Sequence, residues 1–223
     1  MRSLKTIVFG LSGNPPTENH LLFIQYLLSL KHYDLVRVVL NAQSPLKVKE
    51  PYLAAEARFD LLKVMLEASK VDFHRCILER LEIDRPPPSR MIDTLSALLA
   101  RAKAQNISEK ITLALGLDAL MAFKAWYQWE AYAGLCEIKF YPRAHVGVSQ
   151  DDVLNQLMQL RQAGIQASLI TNESGVIPMV QGSATEARLH YASGLPGCPK
   201  GITPVVDQLI RKRGYYGLNH VNS

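Results

Sequence analysis

Residues 7–20 read Ile-Val-Phe-Gly-Leu-Ser-Gly-Asn-Pro-Pro-Thr-Glu-Asn-His, an apolar run that stops at a turn of small residues and then enters a helical pattern. Gly10, Ser12 and Gly13 allow the backbone to turn tightly after a buried strand. The following helix points its free N–H groups and its positive dipole end back at the turn. His20 would add a charge-assisted donor there. The stretch predicts a βα unit that holds a phosphate, and the alternative is an ordinary βα turn whose histidine caps the helix.

Strand-like and helix-like segments alternate along the rest of the chain. Strands are predicted at 6–9, 35–40, 71–78, 111–115, 136–141 and 166–170, and helices at 19–30, 53–68, 91–104, 151–163, 184–193 and 203–213, with helical turns before residue 132. This alternation predicts an α/β fold with a doubly wound parallel sheet, whose ligand crevice lies at the carboxyl ends of the strands. The stiff loop at 85–89 is too short to separate domains, so residues 1–223 are expected to form a single domain with a small C-terminal helical part at about 183–223.

Composition and charge fit a compact protein with an anionic ligand. The chain has 223 residues, of which 48% are hydrophobic, and a formal net charge of +5. That length can bury a full core in one domain. The basic residues are scattered, and their one dense cluster, Arg211-Lys212-Arg213, lies at a predicted helix C-terminus, where cations are favoured. We therefore expect a solvated surface plus a phosphate site, and no nucleic-acid partner.

The cysteines and the N-terminal residues indicate in which cellular compartment the protein is expected. Cys76, Cys136 and Cys198 are odd in number, widely separated and without C-x-x-C spacing, which predicts buried thiols in a reducing compartment rather than a disulfide framework or a zinc site. The N-terminal apolar stretch is too short for a signal peptide, and no apolar run reaches about eighteen residues. We therefore expect a cytoplasmic protein that does not enter a membrane. Nothing in the sequence specifies an oligomeric state.

The opening segment matches neither the Walker loop nor the dinucleotide-binding fingerprint. It resembles the first signature of the nucleotidyltransferase superfamily, G-x-F-x-P-x-[HT]-x-G-H, and most of all the bacterial nicotinate mononucleotide adenylyltransferases that read S-x-[DN]-P-P-T-x-x-H. Thr17 and His20 occupy its two polar positions, and Asn19 replaces its glycine. The resemblance implies a Rossmann-like nucleotidyltransferase fold with an ATP site that includes Gly10, Ser12, Gly13 and His20.

A second segment, Gly182-Ser-Ala-Thr-Glu-Ala-Arg188, resembles the superfamily's other signature, [IV]-S-[SA]-T-x-[IL]-R. Ser183 and Thr185 would open a helix whose N-terminal amides face a phosphate, and the guanidinium fork of Arg188 would bind phosphate oxygens. The pattern Ser-x-x-Glu also begins an ordinary capped helix. The tail from 195 to 216 resembles the closing part of the same family, so the resemblance covers nearly the whole chain.

Three further residues are candidates for the nucleotide site. Lys47 follows the second predicted strand and could reach a phosphate in the crevice, or be a solvated loop lysine. Asp118 follows Gly116 at the end of the fourth strand, where an acid can bond ribose hydroxyls or cap a helix. The family has a basic residue in the first of these loops and Gly-x-Asp in the second, which implies that Lys47, Gly116 and Asp118 contact ATP.

The acceptor site is predicted from two other segments. Trp126 matches the tryptophan that family members place against the pyridine ring, with Tyr127 beside it, whereas Trp129 is expected to be core. The family reads Pro-Ser-Tyr-Thr-x-Asp-Thr-Leu where this chain reads Pro-Ser-Arg-Met-Ile-Asp-Thr-Leu at 88–95. The resemblance therefore places Arg90 and Met91 beside the acceptor, where Arg90 either pairs with a carboxylate or faces solvent.

The resemblance implies adenylyl transfer from ATP to nicotinate mononucleotide, giving deamido-NAD and pyrophosphate. Its catalytic set would be Thr17, His20, Lys47 and Arg188, with Mg²⁺ bound through the ATP phosphates and no protein metal cluster. Two alternatives stay open. One is a related transferase that acts on phosphopantetheine or uses CTP, and the other is a nucleotide-binding protein without turnover.

Overall fold

Six parallel strands form one sheet in the order β3-β2-β1-β4-β5-β6. The computed structural model describes residues 3–42, 53–86, 88, 90–141, 149–170 and 179–218. The strands are β1 (Leu4–Leu11), β2 (Leu35–Leu40), β3 (Cys76–Glu79), β4 (Glu109–Gly116), β5 (Glu137–Tyr141) and β6 (Ala167–Leu169). The strand order reverses between β1 and β4, which creates the crevice of a doubly wound sheet. The predicted fold class is confirmed.

Helices cover both faces of this sheet. They are α1 (Glu18–Ser29), α2 (Ala55–Ala68), α3 (Met91–Ala104), α4 (Leu117–Ala122), α5 (Gln150–Gln162), α6 (Ala184–Ala192) and α7 (Pro204–Arg213), with short 3₁₀ turns at Phe123–Ala125, Trp129–Gly134 and Tyr215–Gly217. One apolar cluster joins the sheet to α1, α2, α6 and α7. A second cluster on the opposite face joins it to α3, α4 and α5. No helix in the described ranges combines the length and apolar character needed to cross a bilayer.

The C-terminal helices belong to the first of these clusters. Tyr191 of α6 and Val206 and Ile210 of α7 are fully buried there with residues of β1 and α1. Pro204 starts α7, where its missing N–H costs nothing, and Gly214 ends it in the left-handed conformation. Burial of α6 and α7 fixes the far end of the chain against the helix that follows β1.

The third strand is shorter than the sequence predicted. The apolar pattern indicated 71–78, but β3 begins at Cys76 and residues 73–75 form a turn. The Asp72 carboxylate accepts from the His74 N–H at 2.9 Å, and the Asp72 carbonyl accepts from the Cys76 N–H at 2.8 Å. This local side-chain bonding competes with strand pairing, which explains why the prediction was wrong there.

Candidate functional site

The loop after β1 requires glycine at Gly13. Its φ of +56° is unfavourable for other residues, and a β-carbon there would lie 2.9 Å from a methyl group of Leu40. Gly10 lies just before this turn, and a β-carbon on it would lie 2.6 Å from the terminal methyl group of Met91. The Met91 side chain, from the first turn of α3, therefore lies against the end of β1. This contact joins a predicted nucleotide residue to a predicted acceptor residue.

The first turn of α1 is closed by Thr17 and His20. The Thr17 backbone N–H donates to His20 Nδ1 at 2.9 Å, and the Thr17 hydroxyl lies 2.8 Å from the same nitrogen. The histidine therefore does cap the helix, as the alternative interpretation held. Because Nδ1 accepts from the Thr17 N–H, the ring nitrogen that can act as a donor is Nε2.

Arg58, at the start of α2, ties the surrounding loops together. It is fully buried. Its guanidinium donates to the carbonyls of Leu53 at 2.8 Å, Ser12 at 2.5 Å and Asn41 at 2.8 Å, and also to the Ala42 carbonyl. It therefore ties Ser12, after β1, to Asn41 and Ala42, after β2. Sequence reasoning missed this role, although Arg58 shares a helical face with apolar residues 61, 62 and 65, and an arginine on such a face is a usable signal.

Asn14 is the second residue that sequence reasoning missed. It is 3% exposed. Its backbone carbonyl accepts from Arg188 at 2.7 Å, while its side-chain oxygen accepts from the Leu53 N–H at 3.2 Å and from the Tyr216 hydroxyl at 3.0 Å. Asn14 therefore connects the loop after β1 to the segment before α2, to α6 and to the C-terminal turn.

The second signature segment meets the first one directly. Ser183 is the N-cap of α6, and its hydroxyl accepts from the Glu186 N–H at 3.1 Å, so its side chain serves the ordinary cap. Arg188 donates to the Asn14 carbonyl and to the Thr185 hydroxyl, the latter at 3.2 Å. Although 174 residues separate Asn14 from Arg188, the fold brings the two predicted phosphate motifs into contact.

Gly116 and Asp118 lie at the same edge of the sheet. β4 is the neighbour of β1, with Ala114 opposite Phe9, so the end of β4 lies beside the loop that follows β1. Gly116 is the N-cap of α4. Asp118 lies exposed in the first turn of that helix, and the alternative role as its N-cap is therefore wrong.

Three of the predicted acceptor residues, Arg90, Trp126 and Tyr127, make contacts with aromatic rings or cations. Arg90, the N-cap of α3, places its guanidinium carbon 3.7 Å from the centre of the Tyr127 ring, a cation–π geometry. Trp126 is half-buried and packs on Phe123 and Tyr132, with ring centres 5.2 and 6.1 Å away. Trp126 therefore has core contacts, whereas Tyr127 is 49% exposed.

The remaining predictions concern other parts of the chain. Lys47 lies outside the described residues. Trp129 is half-buried at the edge of the second apolar cluster, with the Lys124 ammonium 5.9 Å from its ring centre. Among the residues that the structure describes, no group of three or more His, Cys, Asp or Glu could hold a metal ion. All three cysteines are free, and burial raises the pKa of the Cys76 and Cys136 thiols to about 12. Cys76 is buried and Cys136 is half-buried, but Cys198 is exposed, so the prediction of a buried thiol is wrong for Cys198.

A doubly wound parallel sheet whose strand order reverses beside the loop after β1 is typical of nucleotide-binding α/β proteins. The profile of the cytidylyltransferase-like family matches residues 9–173. The chain therefore belongs to the cytidylyltransferase-like family.

Three comparisons extend this assignment. The probable nicotinate-nucleotide adenylyltransferase of Pectobacterium atrosepticum is 26% identical over 218 residues, which cover 95% of this chain and 98% of that protein. The protein of the same name from Caldicellulosiruptor saccharolyticus is 27% identical over 215 residues, covering 96% and 99%. Plasmodium falciparum nicotinic acid mononucleotide adenylyltransferase complexed with NaAD superposes with a TM-score of 0.74 at 16% identity, covering 96% and 98% of the two chains, and therefore shares the fold.

Proposed function

We propose that this protein transfers the adenylyl group of ATP to nicotinate mononucleotide, giving deamido-NAD and pyrophosphate. The observation that carries the proposal is the contact between the two signature segments, in which Arg188 reaches the carbonyl of Asn14. This contact puts an arginine fork beside the loop and helix N-terminus that follow β1, a suitable place for a triphosphate. Full-length relatives named for this activity support the same reaction.

The transfer needs no protein nucleophile. An oxygen of the acceptor 5′-phosphate forms a bond to the α-phosphorus of ATP while the bond from that phosphorus to the bridging oxygen breaks, and the electron pair leaves with pyrophosphate. Such chemistry depends on positioning and on stabilising charge around the transferring group. We assign this work to His20 and Arg188, together with Lys47.

Each nucleotide-site residue then has a distinct role. His20 donates through Nε2–H, because Thr17 occupies its Nδ1. The Thr17 hydroxyl orients the imidazole. The backbone around Gly10, Ser12 and Gly13 and the amides after Ser183 and Thr185 would face the phosphates, while Gly116 and Asp118 would receive the ribose.

A divalent cation accompanies the nucleotide in nucleotidyltransferases generally. The donors gathered here are N–H groups of His20 and Arg188, which suit phosphate oxygens rather than a metal. We therefore propose that Mg²⁺ is held by the ATP phosphates, where it neutralises charge on the leaving pyrophosphate.

We place the acceptor beside the first turn of α3. Met91 lies against Gly10, so this turn borders the nucleotide loop. The Arg90 guanidinium, stacked on Tyr127, would attract the carboxylate of a nicotinate ring, and Trp126 would stack on the ring itself. A cation at this point favours the acid over the uncharged amide.

We also propose that the chain acts as one cytoplasmic domain. Helices α6 and α7 share an apolar core with β1 and α1, which supports a single unit. The three free cysteines support a reducing compartment.

Pyrophosphate release with ATP, Mg²⁺ and a panel of phosphate acceptors tests the reaction. We expect release with nicotinate mononucleotide, and a loss of about two to three powers of ten in turnover for His20→Ala, since a donor to transition-state charge is removed. His190→Ala is the matched control, because its ring contacts the Gly197 carbonyl at 3.0 Å in the C-terminal region. Release with phosphopantetheine but not with nicotinate mononucleotide would refute the proposal in favour of the related transferase. No release with any acceptor would refute it in favour of a nucleotide-binding protein without turnover.

A further inference from the structure

Asn19 bonds to a distant loop through both ends of its side-chain amide. Its Oδ1 accepts from the Val180 N–H at 2.9 Å. Its Nδ2 donates to the Val180 carbonyl at 3.0 Å and, less closely, to the Gly182 carbonyl at 3.4 Å. One side chain in the first turn of α1 therefore satisfies three backbone groups of the segment that leads into α6.

The backbones around this contact pack too closely for side chains. Gly182 has a φ of +112°, and a β-carbon on it would lie 2.2 Å from the Lys200 carbonyl oxygen. The neighbouring Gly201 carbonyl accepts from the Glu18 N–H at 2.8 Å, on the same turn of α1 as Asn19. The starts of α1, α6 and α7 thus meet in one junction.

This junction has consequences for the two proposed phosphate ligands. His20 follows Asn19 directly on α1, whereas Arg188 is carried by α6, whose N-cap Ser183 directly follows Gly182. The Arg188 contact with Asn14 is itself made by a proposed ATP ligand, so it uses a group that ATP would also engage. The amide bonds of Asn19 use no group that we assign to ATP, so they can hold the two segments together whether or not ATP is bound.

We propose that Asn19 is a positioning residue that fixes the distance between His20 and Arg188 by holding the segment before α6 on the first turn of α1. The inference rests on the proposed function. The superfamily signature has glycine at this position, and glycine offers none of these three side-chain bonds. In this chain the asparagine adds a clamp between the two phosphate motifs that the signature glycine cannot provide.

Binding of α,β-methylene ATP, measured by calorimetry on the full chain, tests the clamp without turnover. We expect Asn19→Ala and Asn19→Gly each to weaken binding about five- to thirtyfold, which corresponds to the loss of two or three modest hydrogen bonds. Asn19→Asp should weaken nucleotide binding at least as much. Its carboxylate can still accept from the Val180 N–H, but its second oxygen would face the carbonyl oxygens of Val180 and Gly182. Asp34→Ala is the matched control, because it removes a 2.9 Å hydrogen bond from the Lys5 N–H to the Asp34 side chain, near the amino end of β1.

A double-mutant cycle separates positioning from general destabilisation. If Asn19 acts by placing Arg188, Asn19→Ala should cost less than twofold in an Arg188→Lys background, since the group being placed is already impaired. Parent-like binding by Asn19→Ala, or an equal loss in both backgrounds, would overturn the inference. Pyrophosphate release by the parent is measured separately, so a failure of the proposed reaction is distinguishable from a failure of the clamp.

Discussion

Replacing Arg58 with lysine should loosen the nucleotide loops without removing any proposed ligand of ATP. Arg58 is fully buried and donates to carbonyls in three segments: Ser12 after β1, Asn41 and Ala42 after β2, and Leu53 before α2. Lysine keeps the positive charge. The guanidinium has five N–H donors in one plane, whereas the lysine ammonium has three N–H donors on a single nitrogen, so lysine cannot reproduce this set of hydrogen bonds.

The size of the effect follows from the number of bonds lost. One ammonium can serve at most three of the four carbonyls, and the geometry of a point donor makes two more realistic. Each hydrogen bond to a charged group contributes about 1.5–3 kcal/mol, and carbonyls in loops recover part of this by binding water. We therefore expect Arg58→Lys to lower the free energy of unfolding by about 3–4 kcal/mol, which is roughly 6–16 °C in Tm for a chain of this size.

Thermal unfolding and binding of α,β-methylene ATP measure the two consequences. Arg75→Lys is the matched control, because Arg75 also donates to two backbone carbonyls, of Leu28 at 2.9 Å and of Tyr33 at 2.8 Å. Arg75 lies directly before β3, at the amino ends of the strands and therefore away from the proposed site. Both variants should lose stability, and Arg58→Lys alone should bind the nucleotide more weakly, by about tenfold or more. An Arg58→Lys protein with the parent's nucleotide affinity would show that these loops do not need the arginine to hold the site.

Three other outcomes are expected. Arg188→Lys should raise KM for ATP and lower kcat, because the single ammonium of lysine cannot replace a bidentate guanidinium. Unchanged KM and kcat would show that Arg188 has only a structural role. Trp126→Ala should weaken acceptor binding by about 1–3 kcal/mol with little change for ATP, measured by titration with nicotinate mononucleotide, and an unaltered acceptor affinity would assign Trp126 to the core. Burial raises the pKa of the Cys76 and Cys136 thiols to about 12, so the folded chain retains protons that the unfolded chain releases above about 8.5. Stability should therefore fall between about pH 9 and 12, by up to about 1.4 kcal/mol per pH unit for each thiol, and a pH series of Tm should show a shallower fall for Cys76→Ala than for the parent.

The sequence by itself determined the fold class and most element positions. The bounds of β2 and α3 agree with the predicted ranges, because an aliphatic run and an amphipathic helix each express their period locally. Prediction failed at residues 72–75, where the Asp72 side chain stops a strand that its apolar neighbours favoured.

Only the tertiary structure decided how the site is held together. Contacts between Arg188 and Asn14, between Asn19 and Val180, and between Met91 and Gly10 join residues far apart in the chain. Periodicity reports which face of an element is apolar, but it does not report which backbone carbonyl a distant side chain will reach. The donor role of His20 Nε2 has the same origin, since it follows from a hydrogen bond to Nδ1 that only the folded first turn of α1 provides. Local patterns thus fixed the elements of this protein, and long-range packing fixed the geometry of its candidate site.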